Sequence, residues 1–265
     1  MRRLNALISS LFKLVFLGSF LVVVCASIIL GVYGILAKEY DLKQLEHITS
    51  KTIPNDHQVI DFLKKQDPDS GYVSLDQVSS QFVEALIVRE DTRFYSHKGI
   101  DPIGIIRASY RNIIKNKREG ASTITMQLAR NSFEDLMNQK NLHRKLIEAM
   151  LARRIEKEYS KKKILELYVN KIFFGSGIYG VEKASLSYFG KKAKDMNLSE
   201  SAMLAGIIRG PNRFSPFRNY KDANTQRKTV LRRMLEEKRI SIHEYKTAID
   251  DKVFILKQKK SRGKR

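Results

Sequence analysis

The fold of this chain is decided by one stretch of its sequence, Arg89-Glu90-Asp91-Thr92-Arg93-Phe94-Tyr95-Ser96-His97-Lys98-Gly99-Ile100-Asp101-Pro102. An apolar helical pattern precedes this stretch, and Asp101-Pro102 predicts the start of the next helix, with proline at the first helical position. Two adjacent carboxylates therefore stand where a helix stops and an aromatic-rich loop begins. Because such a position allows a side chain to project into a cleft, Glu90 is the first candidate for acid–base chemistry.

Helical periodicity continues on both sides of this stretch, from residue 76 through most of the chain. Apolar residues recur at helical spacing in several runs. These runs are Val78, Phe82, Ala85 and Leu86; Ile106, Tyr110, Ile113 and Ile114; Leu142, Leu146, Ile147, Met150, Leu151 and Ile155; and Ile164, Leu165, Tyr168 and Ile172. Ser160 and the pair Asn197 and Glu200 predict helix N-caps. No alternating strand pattern spans more than a few residues, so we expect a mainly α fold.

An uncharged apolar segment runs from Leu14 to Ala37 near the N-terminus. As a helix it would be about 36 Å long, enough to cross a hydrocarbon core of roughly 30 Å. A cleaved signal peptide is the alternative, but Ile35-Leu36-Ala37-Lys38 is a poor cleavage site. We therefore predict a retained transmembrane signal anchor over residues 14–37.

The charges around this segment predict its orientation. Arg2, Arg3 and Lys13 precede it, whereas the charges that follow it roughly balance, so the N-terminus (1–13) is expected in the cytoplasm and the rest outside. Cys25 is the only cysteine, so the exported part has no disulfide and no cysteine metal site, which favours a bacterial envelope protein. After the anchor we predict a stalk (38–75), a main domain (76–240), and a C-terminal helix with a basic tail (241–265).

The formal net charge of +21 indicates an anionic partner. In a cytosolic protein nucleic acid would come first. For a domain tethered outside a membrane, lipid phosphates, diphosphate-linked substrates and acidic wall polymers fit better, and we expect no nucleic-acid partner. The tail from residue 257 onward is expected to be a solvated extension rather than a specific site.

A second group of residues, between Gly120 and Glu148, is suited to an anion. A glycine turn followed by Ser122, Thr123 and Thr125 offers hydroxyl and backbone N–H donors at a helix start. Cations follow, and Glu148 lies four residues after one of them and three after the next, hence on the same helical face. These cations are Arg130, Lys140, Arg144 and Lys145. Such a helix is able to hold a diphosphate while the carboxylate keeps its cations oriented.

Each of these residues also has a purely structural explanation. Glu90 or Asp91 would then be an ordinary carboxylate at a helix end, and His97 would only hold its loop through a hydrogen bond. The turn at Gly120 would be a flexible connection, and the charges from Arg144 to Glu148 would form an exposed salt-bridged face. The residue types alone leave both interpretations open.

Five segments, in order, resemble the motifs of the peptidoglycan glycosyltransferases, glycosyltransferase family 51. They are Glu90–Asp101, Gly120–Leu128, Arg144–Glu148, Lys163–Asn170 and Arg209–Pro216. The resemblance as a whole covers roughly residues 75–239, nearly all of the predicted exported domain. The resemblance implies a lysozyme-like α domain of two lobes beside the membrane, and a monofunctional biosynthetic transglycosylase that polymerises lipid II.

The resemblance also implies roles for individual residues. Glu90 matches the general base, which deprotonates the 4-hydroxyl of the acceptor sugar so that undecaprenyl diphosphate leaves with inversion. Glu148 matches a second carboxylate, which orients the cations or binds an assisting divalent ion such as magnesium; no cofactor is expected to be required. The expected substrate-binding residues are Ser122, Thr123, Gln127, Arg130, Lys140, Arg144 and Lys145. The expected loop-shaping residues are Asp91, Phe94, His97 and Gly99.

Two other functions compete with this expectation. A lytic transglycosylase shares the fold and cleaves the same polymer, but the diphosphate-directed cations disfavour it. A non-catalytic scaffold that recruits wall-synthesis proteins is disfavoured by the presence of Glu90 and Glu148. The chain is expected to lack a transpeptidase domain, because no Lys-Thr-Gly motif occurs. The expected partners are lipid II, the growing glycan strand, membrane phospholipids and other cell-wall synthesis and division proteins, at the outer face of the bacterial inner membrane.

Overall fold

A computed structural model of the chain describes Phe16, Ser19 and the ranges 22–45, 71–114, 120–133, 136 and 142–256. Its α-helices, in chain order, are α1 (Val22–Glu39), α2 (Ser80–Glu90), α3 (Pro102–Ile114), α4 (Ile124–Ser132), α5 (Leu142–Glu158), α6 (Lys161–Lys171), α7 (Val181–Phe189), α8 (Leu198–Ile207), α9 (Tyr220–Glu236) and α10 (Ile242–Asp250). Short 3-10 helices lie at Ala37–Glu39 (the last turn of α1), Leu42–Leu45, Leu75–Gln77, Phe94–Ser96 and Ala193–Asp195. In these ranges the only pairing of extended backbone is an isolated bridge between Phe173 and Tyr179. The predicted mainly α fold is confirmed.

The helix starts follow the local signals in the sequence. Ser160 caps α6 by accepting a hydrogen bond from the backbone N–H of Lys163 at 3.2 Å. Asn197 and Glu200 form a reciprocal capping box at the start of α8, with bonds of 2.9 and 3.0 Å. The third predicted start is also confirmed, because α3 begins at Pro102. Each cap satisfies N–H groups that a helix would otherwise leave without partners.

The hydrophobic core surrounds α8, every residue of which is buried. Helices α2 and α9 pack directly against it, while α4 packs on α5 and α6. The largest fully buried side chains include Phe82 on α2, Tyr168 on α6 and Tyr188 on α7. Since α2 is held on the central helix, its last residue, Glu90, has a fixed place at the edge of the core.

Helix α3 stands apart from this core and contributes no residue to its hydrophobic cluster. Its apolar stripe is exposed, and Ile106, Tyr110 and Ile113 are among its outward-facing residues. On another side α3 faces α9 across a cavity that both helices line. This helix therefore forms a smaller lobe opposite the main body, with a cleft between the two.

Helix α1 is long and apolar enough to cross a membrane, with a mean hydropathy of 1.9 over 18 residues. The chain directly after it is packed into the domain: Leu42 and Leu45 are buried in the core. Arg154 on α5 donates hydrogen bonds to the carbonyl oxygens of Ala37 and Tyr40, at 2.6 and 2.9 Å. Residues 38–45, the first part of the predicted stalk, are thus packed against the globular domain. The predicted domain boundaries stay predictions.

Lys171 on α6 also contacts the segment that follows α1. Because its ammonium is buried, we expect the free energy of unfolding to depend on pH. Its ammonium donates to the carbonyl oxygen of Gln44 at 3.1 Å, and burial lowers its pKa from 10.5 to about 8. Between these pH values the unfolded chain holds a proton that the folded chain has released. The free energy of unfolding should therefore rise with pH from about 8 to about 10.5, by on the order of 2–3 kcal/mol.

Denaturant unfolding of the full chain in detergent, at about pH 7.5 and 10.5, measures this rise. Lys171→Met should lose it, because the buried titrating group is gone. Lys162→Met is the matched control: Lys162 pairs with Asp76 at the exposed end of the same helix, and this variant should keep the wild-type rise. An equal rise of the unfolding free energy in wild type and Lys171→Met would contradict the assignment of this pH dependence to Lys171.

Candidate functional site

The two carboxylate oxygens of Glu90, the last residue of α2, have different surroundings. Its side chain is only 6% exposed. The side-chain amide of Gln127 on α4 donates a hydrogen bond to Oε2 at 2.9 Å. Oε1 lies 3.4 Å from Nε of Arg209 and accepts no hydrogen bond from any described residue. A buried carboxylate fixed through one oxygen, with its second oxygen unsatisfied, is suited to take a proton from a bound hydroxyl.

The next residue, Asp91, fastens the loop to the start of α4. His97 Nε2 lies 3.0 Å from both of its carboxylate oxygens, and the backbone N–H of Ile124 donates to Oδ2 at 3.0 Å. The backbone N–H of Gly99 donates to His97 Nδ1 at 3.2 Å, which assigns the ring proton to Nε2. Asp91 thereby accepts hydrogen bonds from the loop and from the start of α4, and these bonds hold the loop after α2 against α4.

Gly99 and Thr123 complete this closure. Gly99 has a φ of +92°, and a Cβ there would lie 2.5 Å from the carbonyl oxygen of Ala152 on α5, so only glycine fits. The Thr123 hydroxyl donates to the Gly99 carbonyl oxygen at 2.7 Å and accepts the Met126 N–H at 3.1 Å as the cap of α4. The fourth predicted loop residue, Phe94, is buried beneath the loop.

Two cations and a carboxylate lie together on the first turns of α5. The side chain of Glu148 is fully buried, with Oε2 at 2.6 Å from Nζ of Lys145 and Oε1 at 3.1 Å from Nε of Arg144. Lys145 also donates to the hydroxyl of Ser122 at 2.9 Å. The carboxylate thus orients both cations, and Lys145 joins the cluster to the glycine turn. This arrangement suits a charged ligand with several oxygen atoms, such as a diphosphate.

A cavity of about 450 Å³ joins Glu90 to this turn. It is lined by Glu90, Ser122 and Thr123 and by an excess of arginines, which are Arg89, Arg107, Arg111, Arg209, Arg232 and Arg233. Five carboxylates, those of Glu90, Asp91, Asp101, Glu236 and Glu237, line the same cavity against these six arginines, which leaves a small positive balance. A polar cleft with a positive balance and a buried carboxylate predicts an anionic ligand that carries a reactive hydroxyl or leaving group.

Three of these arginines, Arg89, Arg209 and Arg233, lie around the backbone next to Glu90. The sequence patterns predicted no role for any of them. Arg209 and Arg233 both donate to the carbonyl oxygen of Arg89, at 3.2 and 3.3 Å. Burial lowers the pKa of Arg89 to about 10, helped by the charges of Arg209 and Arg233 and opposed by Glu90. Arg209 opens one of the quoted motifs, whereas nothing in the sequence marks Arg233 beyond its place on an amphipathic helix.

Two predicted substrate-binding residues remain, Arg130 and Lys140. Arg130 lies on α4, close enough to Tyr168 for its charge to act on that hydroxyl. Lys140 lies outside the described residues, so its predicted contact with a diphosphate stays a prediction. Among the residues that are described, no group of three or more His, Cys, Asp or Glu side chains is placed to hold a metal ion. Glu148 offers a single carboxylate that is already flanked by two cations, and magnesium at Glu148 stays a prediction.

Known proteins resemble this chain over most of its length. A family model described as Transglycosylase matches residues 56–235. A putative transglycosylase from Cupriavidus necator is 44% identical over 178 residues, which are 67% of this chain and 76% of that protein. Penicillin-binding protein 1A from Aquifex aeolicus is 42% identical over 190 residues, 71% of this chain and 26% of that protein.

A crystal structure of penicillin-binding protein 1A from Haemophilus influenzae aligns with 70% of this chain and 18% of that chain. The sequence identity is 26% and the TM-score is 0.42, too loose a superposition to carry a structural argument. The chain spans about a quarter of the length of the penicillin-binding proteins 1A that it matches.

Proposed function

The chain belongs to the transglycosylase family, glycosyltransferase family 51, and on this premise we propose that it is a peptidoglycan glycosyltransferase that polymerises lipid II. The observation that carries the proposal is the pairing of two features along one cavity. Glu90 is a buried carboxylate with one unsatisfied oxygen, and Ser122 at the same cavity is bonded to the cation cluster of Lys145, Arg144 and Glu148. The first feature suits a base and the second a departing diphosphate.

The proposed reaction is a displacement at an anomeric carbon. Glu90 takes the proton from the 4-hydroxyl of the N-acetylglucosamine of the acceptor. The resulting oxygen attacks C1 of the N-acetylmuramic acid of the donor, and the bond from C1 to the diphosphate oxygen breaks. Undecaprenyl diphosphate leaves, and the configuration inverts to a β-1,4 link. Because a diphosphate is a good leaving group, neutralising its charge matters more than a second proton donor.

Two side chains that bond to the cavity lining, Gln127 at Glu90 and Lys145 at Ser122, divide this work between them. Gln127 donates to Oε2 of Glu90 and so fixes the orientation of the carboxylate that acts as the base. Lys145 and Arg144, held by Glu148, stand ready to bind the diphosphate oxygens. Removing either half should leave the other half folded, because the two are fastened by different contacts.

Glu90→Gln tests the base. Since a general base contributes about 10²–10⁴-fold, polymerisation of labelled lipid II by the full chain in detergent should fall by at least about a hundredfold. The products are sized by gel electrophoresis. Glu84→Gln is the matched control, because Glu84 lies on the same helix in a partly exposed pair with Arg239, and it should retain wild-type activity.

The other outcomes of this experiment are equally decisive. Wild-type rates from Glu90→Gln would remove Glu90 as the base. A folded wild type that makes no polymer would favour the non-catalytic scaffold. Release of anhydro-sugar fragments from finished peptidoglycan would support a lytic transglycosylase instead.

The same proposal places the chain at the outer face of the bacterial inner membrane, with α1 as its single span and the N-terminus in the cytoplasm. Two apolar surfaces support contact with phospholipids. Helix α1 meets the length and hydropathy of a span, and α3 exposes Ile103, Ile106 and Ile113 beside the cleft. Burying this face at the headgroup boundary would bring the cavity to the depth of a lipid-linked diphosphate. Other wall-synthesis and division proteins remain predicted partners.

The chain contains no tryptophan, so one introduced indole reports the depth of α3 directly. In vesicles, Ile113→Trp should show blue-shifted emission and strong quenching by brominated lipids, because the residue at that position would lie among acyl chains. Ile242→Trp on α10 is the control, another exposed apolar position, on a helix that packs against α8 and α9, and it should stay unquenched. Equal quenching at both positions, or none at Ile113→Trp, would contradict the docking of α3.

A further inference from the structure

A chain of two hydrogen bonds joins Glu90 to a tyrosine deep in the core. The hydroxyl of Tyr168 on α6 donates to Oε1 of Gln127 at 2.9 Å. The amide nitrogen of the same Gln127 side chain donates to Oε2 of Glu90 at 2.9 Å. Tyr168 is fully buried and Gln127 nearly so. Three helices, α6, α4 and α2, therefore meet through one amide group.

The tyrosine fixes which group donates and which accepts in these two hydrogen bonds. Burial raises the pKa of Tyr168 well above its ordinary value, and the charge of Glu90 raises it further. The phenol therefore keeps its proton throughout the range in which proteins work, and it offers that proton to Gln127. An amide whose oxygen accepts from a tyrosine must turn its NH₂ group the other way, toward Glu90.

We propose that Tyr168 is a positioning residue for the proposed reaction, and that it acts by holding the Gln127 amide with its NH₂ group toward the base. The inference rests on the proposed function of Glu90. Without the phenol, the amide is free to rotate by about 180° and to present its oxygen to Glu90. A carboxylate facing an amide oxygen is destabilised, whereas a protonated carboxyl donates to that oxygen. Loss of Tyr168 therefore favours the protonated form, which is inactive as a base.

Other charges also act on Glu90, and all of them remain when Tyr168 is changed. The charged groups around Glu90 and its amide partner are Arg209 just after α8, Arg89 and Asp91 beside Glu90 in the chain, Arg130 on α4, and Arg233 on α9. Since none of them bonds to the phenol, a variant lacking only that hydroxyl isolates the effect of the amide orientation.

Tyr168→Phe tests the inference through the pH profile of lipid II polymerisation. We expect the acid limb of kcat to move upward by about one pH unit, which is roughly a tenfold loss of rate below the limb. The rate should approach that of the wild type at alkaline pH, where Glu90 is ionised in either orientation of the amide. KM should change little, because the phenol does not line the cavity.

Tyr188→Phe is a matched control for the loss of a buried hydroxyl. Tyr188 is also fully buried, and its hydroxyl donates to the carbonyl oxygen of Phe174 at 2.8 Å, away from Glu90. This variant should lose stability to a similar extent and leave the acid limb in place. An unmoved limb in Tyr168→Phe, a loss of rate equal at every pH, or the same shift in Tyr188→Phe would overturn the proposal.

A second measurement separates this proposal from the proposed function. Infrared spectra of the chain with ¹³C-labelled glutamate, taken as a difference against Glu90→Gln, follow the titration of the Glu90 carboxyl without any turnover. The midpoint should lie about one pH unit higher in Tyr168→Phe than in the wild type. A shifted midpoint in a chain that makes no polymer would keep the positioning role and remove the polymerase. An active wild type with no shift in Tyr168→Phe would do the reverse.

Discussion

The arrangement of the cleft depends on the hydrogen bonds that the buried carboxylate of Asp91 accepts. A charge removed from water is costly unless donors surround it, and here the donors come from His97 and from the backbone of Ile124. Because these donors lie on separate segments, the carboxylate is satisfied only when the end of α2, the loop and the start of α4 are all in place. Glu90 precedes Asp91 directly, and Gln127 follows on the first turns of α4. One interaction thus brings the base and its partner together.

Helix α5 relates the chemistry of the cleft to the membrane. Its first turns carry Lys145 and Glu148 beside the glycine turn, while Arg154 further along binds the backbone at the end of α1. Tyr33 of α1 also lies within hydrogen-bond distance, 3.0 Å, of His143 at the start of α5. A single rigid helix therefore connects the predicted anchor to the cations that would bind a lipid-linked diphosphate. With α1 in a bilayer, as proposed, these packed contacts would set the height and tilt of the domain.

The sequence predicted those features that depend on neighbours in the chain. The starts of α3, α6 and α8 follow from caps, and the pairing of Glu148 with its cations follows from helical spacing. Contacts between distant segments left no such signal, so the bond from Tyr168 to Gln127, 41 residues apart, was not foreseen. Periodicity identified the apolar stripe of α3 but not its exposure, because a pattern defines a face without saying what covers it. The burial of Leu42 in the core was hidden for the same reason.

The base and the diphosphate site are, on this proposal, separate halves of one cleft. Calorimetric titration of undecaprenyl diphosphate into the detergent-solubilised full chain tests it without any reaction. Lys145→Met should weaken binding at least about tenfold, roughly 1.4 kcal/mol, because a cation held beside Ser122 is lost. Glu90→Gln should bind at least as tightly as the wild type. Unchanged affinity in Lys145→Met, or an equal loss in Glu90→Gln, would contradict this division of the site.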